Sequence, residues 1–291
     1  MKVSVIGPGA MGCLFAARLA SNGITTTLVD YKTDRAARLA KSGLRIETAN
    51  GDLSSKPSLA TEVPAKQDLV IVLTKAYTTP GLKLPRGVPI LSLQNGLGNI
   101  EVLCELVGSA NILAGTTSEA STFIDEGHVR HTASGTTKLG TWTSCNEDAA
   151  MEALTRANFR VQLTDSPGQT LWEKVVVSAG INPLTALLDV PNGKLLELRE
   201  ARQLIRDLVV EAAKVAATEG YHFSYSLVER AEEVCRETSD NISSMLQDVR
   251  AGRQTEIEAI TGEILRRGEL ASLPAPRTRV VWQLLKGLEK R

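Results

Sequence analysis

The sequence predicts an α/β protein in which a sheet-containing N-terminal domain precedes an all-helical C-terminal domain. In the first half, short apolar runs alternate with helical patterns, which is typical of a parallel sheet flanked by helices. Beyond the turn-forming segment 165–168, strand-like runs almost vanish and helical periodicity takes over. The length of 291 residues also fits two domains. We place them at residues 1–166 and 167–291.

The elements of the first domain follow from these patterns in chain order. A strand at 3–6, a helix at 10–22 and a strand at 25–29 form the first unit. Continuous apolar runs at 69–73 and 88–93 predict strands that are buried on both faces. From 112 to 142, β-rich segments with turns at Gly127, Gly135 and Gly140 predict antiparallel strands that extend the sheet, and 159–163 is its predicted last strand. In the second domain, apolar spacing over 204–213 predicts an amphipathic helix that ends near Gly220.

Composition excludes several classes of protein. Lys and Arg together number 33, as do Asp and Glu, and no basic run occurs, so a nucleic-acid partner is not expected. The N-terminal apolar run is too short for a signal peptide and no stretch reaches the ~20 apolar residues of a membrane span, so we expect a cytoplasmic protein. The four cysteines show no metal-binding spacing and are interpreted as reduced thiols, with no metal site.

A glycine-rich segment follows the first predicted strand and opens the first predicted helix. Its residues are Gly7, Pro8, Gly9, Ala10, Met11 and Gly12. Gly7 permits the tight turn, Gly9 lets the backbone approach a pyrophosphate, and Gly12 lets helix and strand pack closely. The helix N-terminus offers N–H groups to the anion. This context favours a Rossmann-type, doubly wound dinucleotide-binding sheet over a glycine turn without a ligand.

Asp30 ends the second predicted strand. A carboxylate there accepts hydrogen bonds from the adenosine ribose 2′-OH, which favours NAD(H), and repels a 2′-phosphate. Lys32 and Arg35 lie nearby and could attract that phosphate. We weigh a solvated helix start more heavily for these two residues.

Polar side chains follow two buried strands where open α/β sheets bind their ligands. Lys75 comes just after the strand at 69–73, although an exposed loop lysine is the alternative. Gln94 and Asn95 follow the strand at 88–93, so we expect both amides to face the same crevice. The pair Asn95-Gly96 also suits a simple turn.

Lys174 lies in an apolar segment, which is unusual for a lysine unless it is paired or reactive. Ser178 and Asn182 follow at intervals of one helical turn, so the three share a helix face before Pro183 kinks or ends the helix. Burial would lower the lysine pKa toward the range of a proton donor. Equally, the ammonium group could reach solvent while its stem packs.

Glu256 opens a predicted C-terminal helix, where a carboxylate complements the helix dipole. Composition alone therefore favours a simple helix cap over a catalytic role for this residue. His128 and His131 are expected on opposite faces of a strand, which argues against a metal pair.

Taken together, several motifs of this chain resemble those of the ketopantoate reductase (2-dehydropantoate 2-reductase) family. The matching stretches are 5–12, 73–77, 94–96, 172–174, 181–186, 243–248, 255–258 and 273–276. The resemblance implies a Rossmann domain, a helical domain and a small keto acid bound in the cleft between them.

The resemblance also implies roles for individual residues. Lys174 becomes the general acid that protonates the C2 oxygen as hydride arrives from the nicotinamide, and Glu256 engages both lysine and substrate hydroxyl. The implied substrate-binding residues are Asn95, Ser178, Asn182 and Ser244, and Asn95 is also placed among the cofactor-binding residues.

Two departures from the family pattern matter. Ser178 stands where the family often has a second asparagine, and Asp30 stands where NADPH-using members commonly have an arginine. Lys75 matches the family lysine that can reach the 2′-phosphate. The family norm is therefore NADP(H), whereas Asp30 keeps NAD(H) open.

Two other functions are consistent with the same residues. One is a related 2-keto or 3-hydroxy acid dehydrogenase of the same architecture, because fold does not determine substrate. The other is a non-catalytic dinucleotide-sensing protein. The presence of Lys174 and Glu256 argues against this second function. Assembly is left open, with a homodimer as a candidate.

Overall fold

The computed structural model describes residues 1–290, and within them twelve strands form two sheets. The strands are β1 (Lys2–Ile6), β2 (Thr25–Val29), β3 (Leu44–Glu47), β4 (Leu53–Ser55), β5 (Ser58–Ala60), β6 (Leu69–Val72), β7 (Ile90–Ser92), β8 (Ile112–Thr117), β9 (Ala120–Asp125), β10 (His128–Ala133), β11 (Thr136–Thr141) and β12 (Arg160–Leu163).

The chain divides into two compact units. The first comprises Met1–Gln94 and Asn99–Thr170, and the second comprises Asn95–Gly98 and the chain from Leu171 onward. Four residues that follow β7 therefore belong to the second unit. The domain boundary between residues 166 and 167 stays a prediction.

The first unit is built on an eight-stranded sheet in the order β12-β11-β8-β7-β6-β1-β2-β5. Its pairs are parallel except for β11 with β8. Every residue of β6, Leu69–Val72, is buried, as are Val3–Ile6 of β1. Strands buried on both faces need apolar residues throughout, which is why these runs do not alternate. The predicted α/β class with a doubly wound sheet is confirmed.

The other sheet corrects one prediction. We expected residues 112–142 to extend a single sheet, but β9 and β10 join β3 and β4 in a separate sheet of order β4-β3-β10-β9. Gly140 was predicted as a turn and lies inside β11. A Cβ at Gly140 would stand 2.1 Å from the Thr164 carbonyl oxygen, so close packing explains this glycine.

Helices flank the first sheet and form the second unit. Those of the first unit are α1 (Ala10–Ser21), α2 (Thr33–Ser42), α3 (Asn99–Val107) and α4 (Asp148–Arg156). They are followed by α5 (Pro167–Leu188), α6 (Lys194–Glu197), α7 (Arg199–Thr218), α8 (Leu227–Glu237), α9 (Ser244–Arg250), α10 (Glu263–Leu270) and α11 (Pro276–Leu288). A short π-helix, Glu258–Gly262, leads directly into α10. Over residues 1–290, no helix combines the length and the apolar character that crossing a membrane requires.

Pro183 does not end its helix. We predicted a kink or a stop there, and the stop is wrong because α5 continues through Pro183 to Leu188. Lys174, Ser178 and Asn182 therefore lie on one uninterrupted helix, each half-buried, while the neighbouring Val175 and Val176 are buried.

Candidate active site

The glycine-rich segment of the first unit has the geometry of an anion-binding turn. Gly7 has a φ of +103°, and a Cβ there would meet the Cγ2 atom of Thr74 at 2.8 Å. A Cβ at Gly12 would stand 1.8 Å from the Gly7 carbonyl oxygen, so both positions require glycine. Gly9, in contrast, is exposed and a Cβ there would meet nothing within 4 Å.

The open space lies where a phosphate would approach α1. Gly9 is the N-cap residue of this helix. It has no side chain that could accept a hydrogen bond from the first-turn N–H groups, and Pro8 before it is buried. Ala10 and Met11, both half-buried, form the first turn together with Gly12, and that turn holds no acidic residue. N–H groups in the first turn of a helix lack partners within it and attract anions. These residues fit the pyrophosphate of a dinucleotide.

Asp30 is tied to an arginine rather than open to a ribose. It is 2% exposed, and Arg35 donates to both carboxylate oxygens, through Nε to Oδ2 and through Nη2 to Oδ1, the latter at 2.8 Å. The backbone N–H of Lys32 also donates to Oδ1, at 3.1 Å. The hydrogen bond to Asp30 raises the pKa of Arg35, and the guanidinium charge beside the carboxylate offsets much of its field.

This pairing corrects our interpretation of Arg35 as part of a solvated helix start. The sequence places a cation in the first turn of α2 within reach of an acid at the end of β2, but it does not show which side-chain rotamer joins them. A polar cavity of 570 Å³ adjoins the pair. Its walls are Lys32, Thr33, Asp34, Arg35, Arg38 and Glu126.

Lys75 and Gln94 have different roles. Lys75 is half-buried and caps a 3₁₀-helix, Ala76–Gly81, that follows β6. We expected Gln94 to face a crevice, but it is 5% exposed and its Nε2 donates to the Thr74 carbonyl at 3.1 Å and to the Thr79 hydroxyl at 2.8 Å. Gln94 therefore joins the end of β7 to the segment after β6.

In the second unit, Lys174 lies beside an acid. Burial lowers the pKa of Lys174 to about 8, and the opposite charge of Glu256 limits that fall. Both alternatives for this lysine had remained open, and the structure places it half-buried on α5 in the field of Glu256. An ammonium group with this pKa holds its proton at neutral pH and can release it.

Glu256 also contacts the predicted amide. It is 6% exposed, and Asn95 Nδ2 donates to its Oε2 at 3.3 Å. Composition alone favoured a simple helix cap for Glu256, but the residue is buried just before the π-helix and accepts a hydrogen bond from Asn95. The second unit thus brings Lys174, Glu256 and Asn95 together.

The segment that carries Asn95 is held by the π-helix. Leu97 N–H donates to the Ala259 carbonyl at 2.8 Å, and Gly96 has a φ of +88°. A Cβ at Gly96 would stand 2.5 Å from the Cβ of Ala259, so only glycine permits this approach. The sequence indicated a turn here, but not its packing partner. π-Helical turns are frequent at functional sites.

The remaining predicted residues surround α5 and α9. Ser178 and Asn182 lie one and two turns after Lys174. Thr185 donates to the Asn182 carbonyl at 2.8 Å and hydrogen-bonds the Ser243 hydroxyl at 2.7 Å. Ser243 caps α9, so this link fixes the start of the helix where exposed Ser244 stands.

His128 and His131 each form a hydrogen bond with a different glutamate. His128 contacts Glu47 at 2.8 Å, and His131 contacts Glu119 at 2.5 Å. Among residues 1–290, no group of His, Cys, Asp and Glu could hold a metal ion.

Comparisons with known proteins give one consistent result. The family model described as "Ketopantoate reductase PanE/ApbA" matches residues 3–144, and its C-terminal counterpart matches 168–289. The chain is 36% identical to a 2-dehydropantoate 2-reductase of Halobacterium salinarum, covering 98% of each chain. It is 32% identical to that of Pyrococcus horikoshii, covering 99% of this chain and 98% of the relative.

Solved structures agree with this result. D-mandelate dehydrogenase with NADH and anilino(oxo)acetate superposes with a TM-score of 0.93 at 26% identity, covering 100% of this chain and 99% of the other. A ketopantoate reductase of Ralstonia eutropha JMP134 gives 0.90 at 27% identity with the same coverage. The NADH in the D-mandelate dehydrogenase structure and the 2-dehydropantoate 2-reductase relatives indicate a nicotinamide cofactor.

Proposed function

The chain belongs to the ketopantoate reductase family, and from that premise we propose that it reduces the ketone of 2-dehydropantoate to the alcohol of pantoate. The observation that carries this proposal is the half-buried Lys174, with a pKa of about 8, in the field of Glu256.

Lys174 supplies the proton in this reaction. A nicotinamide, when bound, would supply the hydride for the ketone carbon. The role of Lys174 is to hold its proton at the ketone oxygen and to transfer that proton as the C=O π electrons move onto the oxygen. A cation beside this oxygen stabilises charge that grows only during the transfer, so it favours the transition state over the bound ketone.

Glu256 and the amides orient the reactants. The carboxylate of Glu256 opposes the fall in the pKa of Lys174 and keeps it protonated. Asn95 and Ser244 are proposed to bind the carboxylate end of the substrate. Asn182 and Ser178, one turn apart on α5, are proposed to bind its hydroxyl groups.

We propose NADPH as the preferred cofactor, with Lys75 near the 2′-phosphate. The support is that Arg35 neutralises Asp30, which removes the repulsion that a bare carboxylate would exert. NADH is the alternative cofactor, because an Asp30 carboxylate released from Arg35 would accept a hydrogen bond from a ribose 2′-OH.

Initial rates with 2-dehydropantoate under NADPH and under NADH test substrate and cofactor together. Lys174→Ala should lower kcat by about 100-fold or more while dinucleotide binding changes little. A fully active Lys174→Ala variant would remove this residue from the mechanism. Tight dinucleotide binding without turnover would favour the sensing protein instead.

A related 2-keto or 3-hydroxy acid dehydrogenase is the second candidate. Ser178 is shorter than asparagine and leaves a hydroxyl where an amide is the family pattern, and D-mandelate dehydrogenase has the same fold. A panel of 2-keto acids with both cofactors separates the candidates, because the first requires a strong preference for the branched, hydroxylated substrate.

A further inference from the structure

The hydroxyl group of Thr255 closes a turn of the backbone around Glu256. Thr255 is 2% exposed, and its Oγ1 accepts a hydrogen bond from Ile257 N–H at 3.2 Å. The same hydroxyl donates to Glu289 Oε1 at 2.6 Å, and Thr255 N–H donates to that oxygen at 2.8 Å. Glu256 is the middle residue of this turn, so Glu289 fixes the backbone from which its carboxylate projects.

A second contact from the same helix holds the other side of the turn. Glu258 Oε2 accepts from Trp282 Nε1 at 3.1 Å, and Glu258 Oε1 contacts Lys286 Nζ at 2.9 Å. Lys286 Nζ also lies 3.3 Å from Glu289 Oε2. Both chain neighbours of the segment Glu256-Ile257 are therefore bound to the end of α11.

Glu289 occupies a position that helix electrostatics disfavours. It is the C-cap of α11, where the helix dipole repels a negative charge. Its side chain is only 11% exposed. Burial opposes the charged form, but the hydrogen bonds from Thr255 and the charge of Lys286 together lower the pKa of Glu289. A carboxylate at the C-terminus of α11 destabilises that helix, so helix stability does not explain Glu289. Its hydrogen bonds with Thr255 do explain it, because they hold the turn that contains Glu256.

We propose that Glu289 is a positioning residue, which acts through Thr255 to hold the carboxylate of Glu256 against Asn95 and in the field of Lys174. This inference rests on the proposed function, in which Lys174 donates the proton. It assigns the C-terminal helix a part in the reaction without contact with the substrate.

Three variants of the full chain test the proposal. Glu289→Ala removes the acceptor and should lower kcat about 10- to 100-fold, the range expected when a reacting group is misplaced by about 1 Å. Glu289→Gln keeps an acceptor for Thr255 and should recover most of that loss. Arg279→Ala is the matched control, because it breaks an exposed ion pair of α11 with Glu269 and should leave kcat unchanged.

A double-mutant cycle distinguishes positioning from simple stabilisation. In a Glu256→Gln background, Glu289→Ala should cause little further loss, because the group it positions is already missing. Equal losses in both backgrounds would overturn the proposal. If Glu289→Ala fails to fold, Thr255→Val removes the same hydroxyl contacts and should give the same kinetic result.

The titration of Lys174 gives a readout that does not depend on the substrate. With ¹³Cε-labelled lysine, NMR should show a lower Lys174 pKa in Glu289→Ala than in the wild-type chain, because Glu256 moves away. An unchanged Lys174 pKa in a folded variant contradicts the proposal. Absence of turnover of 2-dehydropantoate by the wild-type chain contradicts only the proposed function.

Discussion

The amide of Asn95 donates a 3.3 Å hydrogen bond to the carboxylate of Glu256, although 161 positions of sequence separate the two residues. The link is supported by the backbone bond from Leu97 to Ala259, next to a glycine that lets the chains approach. A neutral donor beside a buried carboxylate satisfies one of its oxygens without adding charge. The orientation of Glu256 therefore depends on a segment that follows β7.

A second carboxylate in place of this amide should disrupt the site. Asn95→Asp would set a second carboxylate within hydrogen-bond distance of Glu256, so the amide donor is replaced by a group of like charge that repels Glu256. We expect kcat/KM for the keto acid to fall about 100-fold or more. Asn146→Asp is the control, since Asn146 also donates to an acid, Asp148, but is exposed. Equal activity of both variants would show that the Asn95 contact is dispensable.

The pH dependence of the reaction should follow Lys174. Its pKa is lowered from 10.5 to about 8, so the proton donor is lost as pH rises through about 8. Keto acid reduction at saturating substrate should therefore decline above that pH, and alcohol oxidation, which needs the neutral amine, should rise there. Lys174→Arg should retain no such transition in its residual activity, because a guanidinium stays protonated. A reduction profile that is flat from pH 7 to 10 contradicts the assignment.

Arg35 should influence the choice between the two cofactors. Arg35→Ala releases the buried carboxylate of Asp30, which then repels a 2′-phosphate and accepts from a ribose hydroxyl. KM for NADPH should rise about tenfold relative to KM for NADH. Arg45→Ala breaks an exposed pair with Asp52 and serves as the control. If the ratio of the two constants does not change, the Asp30–Arg35 pair is unrelated to cofactor choice.

Two glycines of the same loop should respond differently to alanine. Gly12→Ala forces a Cβ against the Gly7 carbonyl oxygen and should lower the free energy of unfolding by about 2–4 kcal/mol. Gly9→Ala meets no neighbour within 4 Å, so Tm should hardly change, whereas the methyl group obstructs a pyrophosphate and dinucleotide Kd should rise. Calorimetry and fluorescence titration measure both effects. Unaltered dinucleotide affinity of Gly9→Ala would place the phosphates elsewhere.

Local patterns were sufficient for much of the fold. β1, α1 and β2 follow from apolar runs, the glycine loop and the stop at Gly23, because each of these signals acts within a few residues. The separate small sheet was missed because it depends on β3 meeting β10, and nothing in either strand identifies its partner. Long-range pairing of this kind is not encoded in periodicity.

In the candidate site, too, local spacing could be predicted from the sequence but long-range contacts could not. Lys174 and Asn182 could be placed on one helix face from their spacing alone. The contact of Asp30 with Arg35 and the turn around Glu256 could not be predicted, because the first needs a rotamer and the second needs a helix that begins twenty residues later. The π-helix at Glu258–Gly262 has no periodic signature of its own.

The parallel pairing of β3 with β10, with Arg45 opposite His128, has a consequence for the order in which the chain folds. Until residue 133 has been synthesised, the hairpin of β3 and β4 keeps one row of backbone N–H and C=O groups unmatched. Such an edge recruits strands from other molecules. A polypeptide truncated before β9 should therefore self-associate, whereas one that extends past β10 closes this edge by itself.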